Sequence, residues 1–377
     1  MARSTVAHVD LAALRHNFAA IQAFLQSEPG RPAPGIIAVV KANAYGHGAE
    51  RVALALEQAG AAMLACADIE EGVVLRRAGV RIPILVFGAL SVSDLDGVFD
   101  HDLTPTISSP SAAKAVQTAA ASRATTVGYH LKIDSGMNRL GFRHDNLERT
   151  LPEVLASPNL RLEAVFTHFA SADVPESDLL ETQRARFEAA SAVLERLGGR
   201  PSRRHACNSA ALLRDSRVWY DAVRPGLLLY GIVPPPLAST IPLQPVMSLT
   251  SRVTAVKGVR SGEGVGYGWR FQSDTPRSIA IVPTGYADGL DTRLGGRGSV
   301  LIRGHRVPIV GAVSMDMITV DVTGLDDVQP GDEVVILGTQ GPASWQRIDA
   351  RDLAASIGTI PWEIVCRLGT RVERQYR

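Results

Sequence analysis

A (β/α)8 TIM-type barrel followed by a C-terminal mostly-β domain is the fold class that this 377-residue sequence predicts, on three observations. Short apolar runs alternate with helical patterns over the first two-thirds of the chain, the signature of parallel βαβ units. Three consecutive prolines, Pro234, Pro235 and Pro236, then stop regular structure. Beyond them, segments of alternating polarity are separated by Gly, Asp and Pro turns, the pattern of an all-β domain.

The strand candidates of the first part are Ile36–Lys41, Met63–Ala67, Ile84–Gly88, Leu103–Ile107, Tyr129–Asp134, Glu163–His168, His205–Cys207 and Ala222–Arg224. Amphipathic stretches between them, such as Ala49–Gln58, Ile69–Ala78, Ser111–Ala121 and Leu179–Leu197, supply helices. Eight such units match a closed barrel better than an open sheet. The rival doubly wound sheet would carry a Gly-rich phosphate fingerprint after its first strand, and none is present. After the prolines, Ser248–Lys257, Ser278–Pro283, Ser299–Ile302, Val307–Val310 and Glu333–Leu337 read as strands, with a short helix at Ala350–Ser356. The expected domains are 10–240 for the barrel and 241–377 for the β domain, with residues 1–9 a candidate addition to the latter.

Hydrophobic residues make up 46% and charged residues 20%, which supports a sizeable core and argues against disorder. A net charge of +1 without a basic stripe argues against a nucleic-acid partner. No apolar run is long enough for a membrane span, and Met1–Asp10 lacks a signal-peptide core. Cys66, Cys207 and Cys366 are too widely spaced for a disulfide framework or a metal cluster. A cytoplasmic protein without a metal is expected.

The apolar run Ile36–Val40 ends in Lys41-Ala42-Asn43-Ala44-Tyr45-Gly46-His47-Gly48. A lysine after a barrel strand sits at the mouth where such enzymes place their chemistry. Apolar walls favour the neutral amine, which can attack an aldehyde to form a Schiff base. Taken alone, Lys41 is equally a strand cap pointing into water. Gly46 and Gly48 permit tight turns. Asn208-Ser209 after the seventh strand candidate opens a helical stretch, and Arg224-Pro225-Gly226-Leu227 follows the eighth. Loops after the last two strands of such barrels often bind phosphate.

Val40–Gly48 resembles the cofactor-attachment motif of the alanine racemase family, and the resemblance runs from Val9-Asp10 to about Arg371. It implies a pyridoxal 5′-phosphate enzyme that interconverts L- and D-alanine by a two-base mechanism and supplies D-alanine for peptidoglycan. Lys41 would hold the cofactor covalently and act as base on one face. Tyr267, in Gly264-Val265-Gly266-Tyr267-Gly268, would act on the other. Tyr45, Asn208, Ser209, Gly226 and Leu227 would hold the cofactor phosphate. Arg224 would bond the pyridine nitrogen and keep it unprotonated. His168 would link Arg224 to the catalytic tyrosine. Arg139, in the loop after Tyr129–Asp134, would contact the cofactor phenolic oxygen and the substrate carboxylate, which a planar guanidinium suits. Lys132 matches a position that many members carry carbamylated; its alternative is an ion pair with Asp134. Met315 would offer its backbone N–H to the substrate carboxylate, with Tyr286 and Asp316 lining the entry. The family pattern also implies a head-to-tail homodimer with shared active sites.

Two departures stand out. Ser314 replaces a cysteine of some members, and Cys366 or Arg367 stands where others carry a tyrosine that narrows the substrate passage. A broader racemase acting on serine or basic amino acids is the alternative. A basic-amino-acid decarboxylase of the same plan would need an acidic residue in place of Arg224. A non-enzymatic cofactor carrier would lack the β domain.

Overall fold

The computed structural model describes residues 4–28, 30, 32–88, 90, 95–341 and 346–377. The chain divides into two compact units. One is Leu14–Ala44 with Ala49–Leu243; the other joins the described part of Met1–Ala13 to Tyr45–Gly48 and Gln244–Arg377.

The first unit is a closed parallel barrel of eight strands: Gly35–Val39, Met63–Cys66, Ile84–Val86, Thr104–Ile107, Val127–Asp134, Leu160–Phe166, Arg203–His205 and Ala222–Val223. Each pairs with its successor. Ala222–Val223 returns to Gly35–Ile36 and completes the ring. Strands covered by helices outside and packed side chains inside are apolar on both faces. Ile36–Val40 and Met63–Cys66 accordingly are buried throughout. Several barrel helices start on a capping side chain. Asp68 accepts from Glu71 N, Ser109 from Ala112 N and Asn208 from Ala211 N.

In the second unit the strand order is Ala255–Val259, Arg277–Val282, Ile318–Asp321, His305–Val310, Ser299–Ile302, Glu333–Gln340, Met247–Arg252, Val6–Val9 and Glu373–Tyr376. Val6–Val9 runs antiparallel to Met247–Thr250 and parallel to Glu373–Tyr376. A capping box, Asp349 with Asp352, starts the helix Ala350–Ile357.

Most strand ends differ from expectation by a few residues, and three differences change the path of the chain. The first barrel strand stops at Val39, so Lys41 opens a turn of its own. The seventh is Arg203–His205 rather than His205–Cys207. Ser248–Lys257 is two strands, because the chain changes ladder: Val253 N–H donates to Asp332 and Thr254 N–H to Ile281. Among the described residues, no helix is long and apolar enough to cross a membrane.

Candidate active site

The turn after the first barrel strand is left-handed. Ala42, Asn43 and Ala44 have φ/ψ of 53/52°, 53/46° and 53/52°, and Tyr45 has φ 53°. Each such non-glycine residue costs about 1–2 kcal/mol, so the surroundings must hold the turn. Three hydrogen bonds do so. Ala44 N–H donates to Val40 O at 2.8 Å, Ala42 N–H to Glu71 Oε1 at 2.7 Å, and Ala49 N–H to Asn43 Oδ1 at 2.7 Å. Tyr45–Gly48 packs within the β unit: a Cβ on Gly46 would lie 2.0 Å from Val365 O. Tyr45 is buried there, and burial, with Cys366 adding to it, pushes its phenol pKa up.

Arg224, which follows the eighth strand, is 3% exposed and forms the hub of the barrel mouth. NH1 donates to His205 Nδ1 at 2.8 Å. NH2 bonds Thr167 O and Ala206 O, both at 2.9 Å, and His168 Nδ1 at 3.2 Å. Among the described residues, its Nε–H has no acceptor. A guanidinium is donor-only, so both Nδ1 atoms must accept. His205 then carries its proton on Nε2 and donates it to His130 Nδ1 at 3.0 Å. Burial and the Arg224 charge push His168 and His205 well below the ordinary histidine pKa. Burial, Arg203 and Arg224 bring His130 to about 3. All three imidazoles are therefore neutral at physiological pH. Burial lowers Arg224 itself only to about 10, so it stays a cation.

Phe166 lies among these groups. His205 stacks on it at 4.7 Å, and Lys132 Nζ and the Arg224 guanidinium lie 5.7 Å and 5.4 Å from its ring centre. Lys132 is 6% exposed. Burial, then Arg139 and Arg224, lower its pKa to about 8. Asp134 is turned to the backbone: its Oδ1 accepts from Gly136 N and Asn138 N, both at 3.0 Å. Arg139 is exposed in the following loop. Buried Gln183 ties down the sixth-strand loop, donating to Ser135 Oγ and His168 O and accepting from Ala170 N.

Two short helical starts, Ser209–Arg214 and Leu227–Tyr230, meet after the seventh and eighth strands. Ser209 Oγ accepts from Gly226 N at 2.9 Å, joining them, while Asn208 caps the first. First-turn N–H groups lack intrahelical acceptors, and here Ser209 Oγ accepts from Gly226 N and Leu228 N.

In the β unit, the hairpin Gly264–Val265 with Phe271–Gln272 presents Tyr267, 76% exposed, and Trp269, 64% exposed. Gly266 and Gly268 have φ of 69° and 67°, which bends the loop tightly. Tyr286, Met315 and Asp316 form one loop cluster: Tyr286 N–H bonds Ser314 O and Ala287 N–H bonds Met315 O. Met315 is 51% and Tyr286 45% exposed, and Asp316 pairs with Arg371. Of the two gate candidates, Arg367 is bound to Asp291 and Glu363, and Cys366 is exposed.

The barrel thus brings together Arg224, His168, Lys132, Ser209 and Gly226, with Lys41 and Arg139 close enough to bear on the His168 and Lys132 charges. The sequence reading overlooked His130, His205, Gln183 and Glu71. Strand period was the available signal for His130, since His130, Lys132 and Asp134 alternate onto one face.

Residues 9–234 match the model of the alanine racemase N-terminal domain, and residues 246–376 that of the alanine racemase C-terminal domain. An alanine racemase from Sorangium cellulosum is 40% identical over 381 residues, covering 100% of this chain and 99% of that protein. The structure of alanine racemase from D-cycloserine-producing Streptomyces lavendulae superposes with a TM-score of 0.93 at 34% identity, covering 100% of this chain and 98% of the other. That of Bartonella henselae alanine racemase with covalently bound pyridoxal phosphate gives 0.87 at 29% identity, with 99% of each chain covered. An arginine hub and two helix starts bridged by Ser209 at the mouth of a closed barrel, joined in one chain to a β domain and matched end to end by these relatives, make this chain a member of the alanine racemase family.

Proposed function

We propose that the protein interconverts L- and D-alanine with pyridoxal 5′-phosphate, and that two subunits build each site. The Arg224 hub carries this reading. Its NH1 and NH2 are committed to protein acceptors, and its Nε–H is left for an acceptor from outside the protein. A pyridine nitrogen is such an acceptor. The Ser209–Gly226 junction suits the phosphate of the same molecule, and Lys41 suits its aldehyde. When bound, the cofactor supplies an aldehyde for amines and a ring that draws electrons from the substrate Cα–H bond.

The chain's own residues do the rest. Arg224, a fixed cation, withholds a proton from the ring nitrogen and thereby limits the ring as an electron sink, which disfavours side reactions. Asn208, Ser209 and the backbone of Gly226 and Leu227 hold the phosphate, with Tyr45 adding its hydroxyl. Arg139 and Met315 N–H orient the substrate carboxylate. Lys41 handles the α-proton on one face. Tyr267 of the partner subunit handles it on the other, with Tyr286 and Asp316 at the entry. Lys132 is the candidate for carbamylation: burial among cations favours its neutral amine, and carbamate would give Arg139 and Arg224 an anionic neighbour. The broader-specificity reading gains no support from these features.

A complementation experiment tests the shared site. Lys41→Ala and Tyr267→Phe are each expected to be nearly inactive. Mixed and reassociated, half of the dimers carry one intact site, so about a quarter of wild-type activity should return. No return of activity from a confirmed heterodimer would mean that Lys41 and Tyr267 serve the same subunit.

A further inference from the structure

We infer that Glu71 is a positioning residue for Lys41: its carboxylate locks the left-handed turn from which the lysine projects. Oε1 accepts from Ala42 N at 2.7 Å, and Oε2 accepts from Ala67 N at 2.8 Å. One carboxylate thus ties the residue after Lys41 to the residue after the second barrel strand. The Ala42 N–H belongs to the same peptide as the Lys41 carbonyl, so this bond sets the Lys41 backbone directly. Glu71 is itself fixed, since its N–H donates to the Asp68 cap at 2.8 Å. The turn needs such a lock because four consecutive non-glycine residues hold a positive φ of 53°. Both carboxylate oxygens are used as acceptors. Glutamine, equal in shape, offers one acceptor and sets a donor against the other N–H.

The inference rests on the reading that Lys41 binds the cofactor, and the test separates the two. In holoenzyme, borohydride trapping of cofactor on Lys41 checks the reading; failure in the wild type overturns that reading. Glu71→Gln then checks the lock by three readouts. Backbone hydrogen exchange in the peptide covering residues 41–49 is expected to quicken at least tenfold. Return of the visible band when apo-protein takes up pyridoxal phosphate should slow by about tenfold. kcat should fall about tenfold with KM for alanine within twofold. Ser109→Ala, which uncaps the barrel helix Pro110–Ser122 and removes no bond of Glu71 or Ala42, should leave all three near wild type at a similar loss of Tm. Should Glu71→Gln not fold, Glu71→Asp, with two acceptors on a shorter stem, carries the same comparison. Wild-type exchange and uptake in the Glu71 variant would overturn the lock, as would equal effects from Ser109→Ala.

Discussion

The barrel mouth and the β-domain loops carry candidate residues of opposite character. Arg224, Lys132 and Ser209 are 3%, 6% and 6% exposed, and Arg224 and Ser209 are bound to neighbours in the same barrel. Tyr267, Met315 and Tyr286 are 76%, 51% and 45% exposed and sit on turns. Burial at the mouth fixes charge states: it holds three imidazoles neutral beside a permanent cation. The loops of the β domain do the reverse and leave apolar and aromatic surface open. One region is closed by its own barrel neighbours, while the other stands exposed.

Substitutions at the two regions should therefore fail differently. The largest effect is expected from Tyr267→Phe. Racemisation should fall by about 10²–10⁴-fold while the barrel keeps its cofactor. L- and D-alanine are equal in free energy, so kcat/KM must fall equally in both directions. The asymmetry appears instead in deuterium exchange, where one enantiomer should still exchange its α-hydrogen with solvent. Loss of exchange from both enantiomers alike would contradict separate bases on two faces.

Lys132 gives an intermediate effect that depends on pH. Its folded pKa of about 8 lies below that of an unfolded lysine, about 10.4. Between these values the unfolded chain binds more protons, so stability due to this group rises with pH across that window. Lys132→Met should flatten that rise in urea titrations at pH 7 to 10. An unchanged slope would mean that Lys132 is not a buried amine. If the lysine is carbamylated, intact-protein mass should exceed the sequence mass by one CO2 when bicarbonate is present.

The smallest effect belongs to Gly264→Ala. A Cβ there would lie 2.2 Å from Trp269 Cγ, so the loop carrying Tyr267 must shift. Activity should drop about 3–10-fold with cofactor retention unchanged, as a misplaced group costs rate rather than binding. Loss of cofactor in this variant would blur the distinction between the two regions.

Many strands and helices of both units were legible because period and apolar runs report burial directly. Ala49–Gln58 and Ser299–Ile302 follow the pattern residue for residue. The turn after Lys41 was not legible. Lys-Ala-Asn-Ala-Tyr has right-handed propensity, and bonds such as the tertiary one from Glu71 hold it left-handed instead. Arg224, Ser209 and Tyr267 became candidates through motifs. His205 was missed because its role lies in a contact with a residue 19 positions away, which local pattern does not encode. The break at Val253–Thr254 was hidden for a similar reason, since both strands share one continuous alternation.

The hydrogen-bond polarity of the Arg224 hub has one more consequence. From Arg224 through His205 to His130 every donor points the same way, away from the guanidinium. A proton wire works only if its bonds can reverse, and this one cannot, because its first member never accepts. This chain of bonds is thus polar yet protonically insulating. A proton taken from a substrate at the mouth has no exit along it, so the chain leaves that proton with its acceptor.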